Sequence, residues 1–138
     1  MKKVAKLIIE NNGEYLIMFR SNHPTFGKDP DLPGGTAEGN ESGISTMLRE
    51  VEEEIGLRIG STQAKEVFSG TDYSRNGTHY YLFISRLPQK PTIVMSWEHS
   101  SYEWVIKEEF INRAKQAKDT YMHMAADILD SLTATKAS

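Results

Sequence analysis

Residues 48–57 read "LREVEEEIGL", with Glu50, Glu52, Glu53 and Glu54 crowded into five consecutive positions between apolar side chains. At helical spacing the run sorts itself into faces. Ile44, Met47, Leu48, Val51 and Ile55 share one arc and predict a buried stripe. Glu50, Glu53 and Glu54 share another, because positions i, i+3 and i+4 are neighbours on a helix. Arg49 lies at the edge of that acidic face, beside Glu53, whereas Glu52 points elsewhere into solvent. Gly56 suits the left-handed residue that ends a helix, with Leu57 packing back on the last turn.

A carboxylate face of this kind is unfavourable by itself. Like charges three or four residues apart cost about 0.2–0.5 kcal/mol per pair, and acids near a helix C-terminus oppose its dipole. Most glutamate runs are simply solvated surface, but here only Arg49 is close enough in sequence to offset the repulsion. A divalent cation would offset it fully. Hard Mg²⁺ takes carboxylate oxygens and water, and bridges protein acids to substrate phosphates. Just upstream, Pro33-Gly34-Gly35 predicts a tight turn whose bare backbone lets a ligand approach, with carbonyl oxygens available to the same metal.

The remaining chain reads as strands alternating with helices. "VAKLIIE" and "EYLIMFR" flank Asn11-Asn12-Gly13 and predict a hairpin. Lysines followed by apolar residues at the N-terminus resemble a signal peptide, but Lys6 interrupts the run and no small-residue cleavage site follows. Residues 21–33 predict a long loop, "AKEVFSGTDY" and "THYYLFISRL" a second hairpin, and "QKPTIVMSWEHSS" a strand running into a loop. "YEWVI" predicts a last strand, then "KEEFINRAKQA" and "TYMHMAADILDSL" amphipathic helices, with a frayed tail over 132–138. Together these predict one α+β domain over 1–138, an α/β/α sandwich around a mixed sheet.

Composition narrows the function. No apolar run reaches the ~20 residues of a membrane span. The net charge of −3 argues against a general nucleic-acid binder. The absence of cysteine removes disulfides, a thiol nucleophile and cysteine-ligated zinc, and fits a cytoplasmic protein.

From Gly35 five residues lead to Glu41, seven more to Arg49-Glu50, and then Glu53-Glu54, Gly56 and Leu57 follow. "GTAEGNESGISTMLREVEEEIGL" therefore resembles a complete Nudix box, G-x5-E-x7-R-E-U-x-E-E-x-G-U with U apolar, and covers 23 of 138 residues. The resemblance implies hydrolysis of a nucleoside diphosphate linked to another moiety, with Mg²⁺, or Mn²⁺ in its place, as cofactor. It implies that Glu50, Glu53 and Glu54 bind metal together with the Gly34 carbonyl, and that Arg49 orients the glutamates. It also implies that Glu41 ties the loop to the helix, and that Gly35 and Gly56 shape the turn and the helix end.

Outside the box, "EHSSYEW" from Glu98 to Trp104 is similar to an E-H-x-x-Y-x-W arrangement of several Nudix branches, which nominates Glu98 as a further metal ligand or base. His99 then orients a neighbour or is solvated, and Glu103 faces away. Arg20 is a candidate phosphate contact, His23 and Lys28 candidate rim residues, and Tyr73 a candidate substrate contact because dinucleoside-polyphosphate hydrolases carry a tyrosine near this place. Tyr80, Tyr81 and Phe83 suit either base stacking or the core.

A nucleoside triphosphate is the leading expected substrate, with a dinucleoside polyphosphate as the alternative. A non-catalytic nucleotide-binding module is disfavoured because every box acid is present. An isomerase of the same fold is disfavoured because it usually employs a cysteine. The expected partner is a small nucleotide, with a homodimer allowed.

Overall fold

In the computed structural model, the backbone is described for residues 1–137 and the side chains for 1–132. The elements are β1 (Lys3–Asn11), β2 (Glu14–Arg20), β3 (Pro30–Asp31), β4 (Gly34–Thr36), α1 (Gly43–Ile55), β5 (Lys65–Gly70), β6 (His79–Arg86), β7 (His99–Ile106), α2 (Lys107–Lys115) and α3 (Thr120–Ala137). The tail expectation for 132–138 falls mostly on side chains, and on Ser138, outside the described residues.

β1 explains the architecture. Its apolar run is buried on both faces, as in a central strand with parallel neighbours. Ala5, Leu7 and Ile9 pack with Met47, Val51 and Ile55 of α1. Ile8 belongs to the opposite cluster with Phe110 of α2 and Tyr121, Met124 and Leu129 of α3. Helices therefore cover both faces of the sheet, and the α+β sandwich is observed. The sheet is mixed: β1 runs parallel to β6 but antiparallel to β2 and β4. Its path is β3-β2-β1-β6-β5, with β7 added on β2.

The β1–β2 hairpin meets only at its tip, where Glu10 faces Tyr15 and Asn11 faces Glu14. Asn12 and Gly13 both have positive φ, the conformation that an Asn-Gly turn supplies. Beyond the tip the strands diverge. β1 takes β4 and β2 takes β3, so Gly34 and Gly35, which the sequence predicts as a tight turn, instead extend as a short strand against the middle of β1.

α1 starts where Ser42 accepts a hydrogen bond from the Ser45 amide, and it stops at Gly56 with φ 71°. Met47, Val51 and Ile55 are wholly buried, each contributing about 1.5–3 kcal/mol. Glu52, as expected, stays on the surface, where it pairs with Arg58.

One expected element is absent. The strand predicted within "QKPTIVMSWEHSS" does not form, and no ladder includes residues 87–98. Instead the Val94 and Ser96 amides donate to the Ile55 and Glu54 carbonyls, at 3.0 and 2.8 Å. The last carbonyls of a helix have no partner within it, and they recruit this segment in place of a strand. Ile93 and Met95 pack on the α1 cluster while Val94 is exposed, so the segment alternates as a strand would. None of the described helices is long and apolar enough to cross a membrane.

Candidate active site

Strand β4, just before α1, and the helix itself form one wall of a cleft of about 460 Å³. Gly34, Gly35, Glu50 and Glu54 line this wall, and Glu98 joins them from the segment entering β7. Side chains would not fit on either glycine. A Cβ on Gly35 would lie 2.5 Å from the Glu50 carboxyl carbon, and one on Gly34 would lie 2.3 Å from the Ala5 carbonyl oxygen. Gly34 has φ 146°, so glycine is required there on both grounds.

Arg49 organises the acids. Its guanidinium donates to both Glu41 oxygens at 2.7 and 2.9 Å, to Glu50 at 2.8 Å and to Glu53 at 3.2 Å. It also reaches the Thr36 carbonyl at 3.2 Å, so one side chain binds β4 to the helix. Glu41 accepts further bonds from the Thr46 hydroxyl and the Glu38 amide. The Arg49 hydrogen bonds hold its carboxyl down at about 2. Glu41 and Arg49 therefore stand together as ties between loop and helix.

Glu54 is different. It is buried and, among the described residues, accepts only the Gly34 amide, at 2.9 Å. Burial pushes its pKa up to about 8, against the pull of the Gly34 hydrogen bond and of Lys6. Burial also raises Glu50, with Arg49 opposing and Glu53 and Glu98 adding repulsion. Glu98 repels Glu54 as well, which places its charge within the field of both helix acids.

Among the described residues, no three acidic or histidine side chains already surround a single metal position. Arg49 draws Glu50 and Glu53 to one side, and the Gly34 amide holds Glu54. Glu53 does not line the cleft. The donor set nevertheless fits a hard cation. Glu50, Glu54 and Glu98 are carboxylates on one cavity, two of them raised by a desolvation that a cation would relieve.

Arg20 lines the same cleft, ion-paired with Asp119 at 2.9 Å and Asp31 at 3.3 Å, while its Nε is buried without a partner among the described residues. His23 lines the cleft and Lys28 does not. Tyr73 is not among the lining residues. Its hydroxyl donates to Asp127 at 2.8 Å and its ring meets the edge of Phe68. Phe83 is a core residue, Tyr80 is largely buried but lines the cleft, and Tyr81 stacks on His79. Glu103 faces α2, paired with Arg113.

The solvated alternative for His99 is overturned, because the side chain is buried beside Asp31. The lining residues that were not among the sequence candidates include the buried or part-buried charges Lys6, Asp31 and Asp119. Lys6 had a signal, since a lysine inside "VAKLII" cannot be buried without an anionic partner. That partner is Asp31, at 2.5 Å.

Buried acids thus face lysine and arginine across one cavity, a lining chemically suited to a cation beside a polyanion. The chain matches the family model described as NUDIX domain over residues 1–125, and it belongs to the Nudix family of pyrophosphohydrolases. Nudix hydrolases use divalent metal ions and act on small nucleotide substrates. Solved structures agree on the fold. A C. elegans Ap4A hydrolase in a binary complex is 20% identical with TM-score 0.74, covering 99% of this chain and 98% of its own. A MutT protein from Methanosarcina mazei Go1 is 21% identical with TM-score 0.73, covering 99% and 95%. A bifunctional NMN adenylyltransferase/ADP ribose pyrophosphatase from Francisella tularensis, complexed with AMP and a Mn ion, is 21% identical with TM-score 0.66. That match covers 89% of this chain but 39% of the longer protein. No curated protein matches the chain.

Proposed function

We propose that the protein hydrolyses a pyrophosphate linkage in a nucleoside diphosphate derivative, foremost a nucleoside triphosphate cleaved to the monophosphate and pyrophosphate. One observation carries this reading: a single cleft sets Glu50, Glu54 and Glu98 beside the cationic Lys6 and Arg20. Glu50, Glu54, Glu98 and the Gly34 carbonyl are the groups on the cleft that would hold Mg²⁺, or Mn²⁺ in its place, with Glu53 a candidate only if it leaves Arg49. Once bound, such an ion neutralises phosphate charge and lowers the pKa of a coordinated water.

The chain's own groups do the rest. Arg49 keeps Glu50 and Glu53 aligned on the helix edge, and the Gly34 amide fixes Glu54 against β4. Glu98, which comes from outside the helix, takes the proton of the attacking water. Arg20 lines the cleft and offers its guanidinium to a phosphate oxygen through a charge-assisted bond.

A dinucleoside polyphosphate is the second reading. A smaller cavity of about 220 Å³ adjoins the cleft, sharing Phe26, Asn76, Tyr80 and Asp119 and adding Arg75 and Lys118. It offers aromatic and cationic surface for a second nucleoside.

A panel of nucleoside triphosphates, dinucleoside polyphosphates, nucleotide sugars, ADP-ribose and CoA, assayed with excess Mg²⁺ and full product analysis, tests both readings. Fastest cleavage of a triphosphate to monophosphate and pyrophosphate supports the first. Preference for a dinucleoside polyphosphate selects the second. No cleavage with Mg²⁺ or Mn²⁺, together with thermal stabilisation by a nucleotide, would mark a binding module and overturn both.

A further inference from the structure

We infer that His99 is a positioning residue, whose bond to Asp31 sets Glu98 on the cleft rim beside the helix acids. The inference rests on the proposed part of Glu98 in the reaction. Glu98 is exposed and its carboxylate has no protein partner among the hydrogen bonds of the described residues, so its own side chain does not locate it. Its backbone does. The Glu98 carbonyl accepts the Ser21 amide at 2.9 Å, and the next residue begins β7 by pairing with Arg20.

The β2–β7 register slips at this point. Phe19 faces Ser101 and Arg20 faces His99, which leaves Ser100 over. A one-residue slip exchanges the faces to which the preceding side chains point, and such bulges recur where a side chain must be re-aimed near a site. Without the slip, His99 and Glu98 would trade directions. The slip must therefore be held, and His99 is the side chain placed to hold it.

The imidazole is buried, with Nε2 donating to the Asp31 Oδ2 at 2.9 Å. Asp31 is itself clamped. Its other oxygen takes Lys6 from β1 at 2.5 Å and Arg20 from β2 at 3.3 Å. The anchor is thus tied to the two central strands, whereas an exposed loop has no such attachment. A shift of about 1 Å in a catalytic group can cost up to a hundredfold in rate, so an anchor one residue from Glu98 has kinetic consequences.

A double-mutant cycle tests the inference. Turnover, KM and Mn²⁺ affinity would be measured for His99→Leu, Glu98→Gln and the double variant, with the thermal midpoint as a fold control. The expected result is a tenfold-order loss of kcat in His99→Leu with little change in KM. The loss should match that of Glu98→Gln, and the double variant should be no worse than Glu98→Gln alone.

His99→Gln keeps a donor at comparable reach and should restore most of kcat, whereas the shorter His99→Asn should not. If His99→Leu does not fold, the Gln and Asn pair carries the test. Unchanged turnover in His99→Leu, equal turnover of the Gln and Asn variants, or a loss that multiplies with that of Glu98→Gln overturns the positioning role alone. Unchanged turnover in Glu98→Gln overturns the catalytic role of Glu98, and the inference falls with it.

Discussion

Glu54 and Asp31 line one cleft and are almost equally buried, at 5% and 3% exposure, yet they have opposite electrostatics. Burial drives Glu54 up to about 8, because a single amide and a distant lysine do not compensate it. Burial also opposes ionisation of Asp31, but Lys6, His99 and Arg20 together outweigh it and hold the group well below the usual carboxylate range. The contrast separates two uses of a buried acid. Asp31 has its cations built in and anchors strands, while Glu54 lacks one and is suited to accept one from outside.

The sharpest way to break the comparison is Asp31→Asn. It would strand Lys6 beside a neutral amide and remove one partner of Arg20, and losing one member of a buried ion pair costs about 3–5 kcal/mol. Chemical denaturation should show that loss, and an unchanged midpoint would mean that the clamp is not structural.

Glu54→Gln should do the reverse. The amide oxygen can still accept the Gly34 N–H and no buried charge remains, so stability should hold or rise. Turnover with Mg²⁺ should fall by more than about a hundredfold. Full activity in this variant would refute a metal-binding role.

Next in size is the pH response of the metal-free protein. A folded pKa of about 8 against an ordinary 4.5 means that the native Glu54 keeps a proton that the unfolded chain has released. Its contribution is complete below about pH 4.5 and lost as pH rises through 8. Asp31 has the opposite sign, contributing above its ordinary 3.8 and losing that contribution in acid. Thermal midpoints in EDTA should therefore decline toward both pH 3 and pH 8. Saturating Mg²⁺ should flatten the alkaline decline, and Glu54→Gln should abolish it.

Glu52→Gln is the smallest change. Glu52 belongs to the same acidic run but meets only the exposed Arg58, and surface pairs contribute little. Turnover and thermal midpoint should both stay at the wild-type values.

Local patterns carried most of this into the sequence. The α1 stripe, the acidic face and the Asn-Gly hairpin depend on neighbours within a turn or two, and they fold as their spacing predicts. Spacing set Glu50, Glu53, Glu54 and Arg49 on one helix, but it did not reveal that Arg49 draws Glu53 away from the cleft. The Asp31 cluster was not legible, because Lys6, Arg20, Asp31 and His99 come from four separate segments that only the sheet brings together. Residues 89–98 misled for another reason. Their alternation is real, but their amides serve helix carbonyls, and periodicity does not reveal which acceptor an amide finds.

The segment that caps α1 also makes two distant parts of the chain one mechanical unit. The Ser96 amide holds the Glu54 carbonyl, and two residues later the chain presents Glu98. Fraying of the last turn of α1 would release that strap, so Glu54 would leave the cleft while the approach to Glu98 loosened on one side of its anchor. In hydrogen exchange, the Val94 and Ser96 amides should report on the integrity of the cleft as closely as any amide inside the helix.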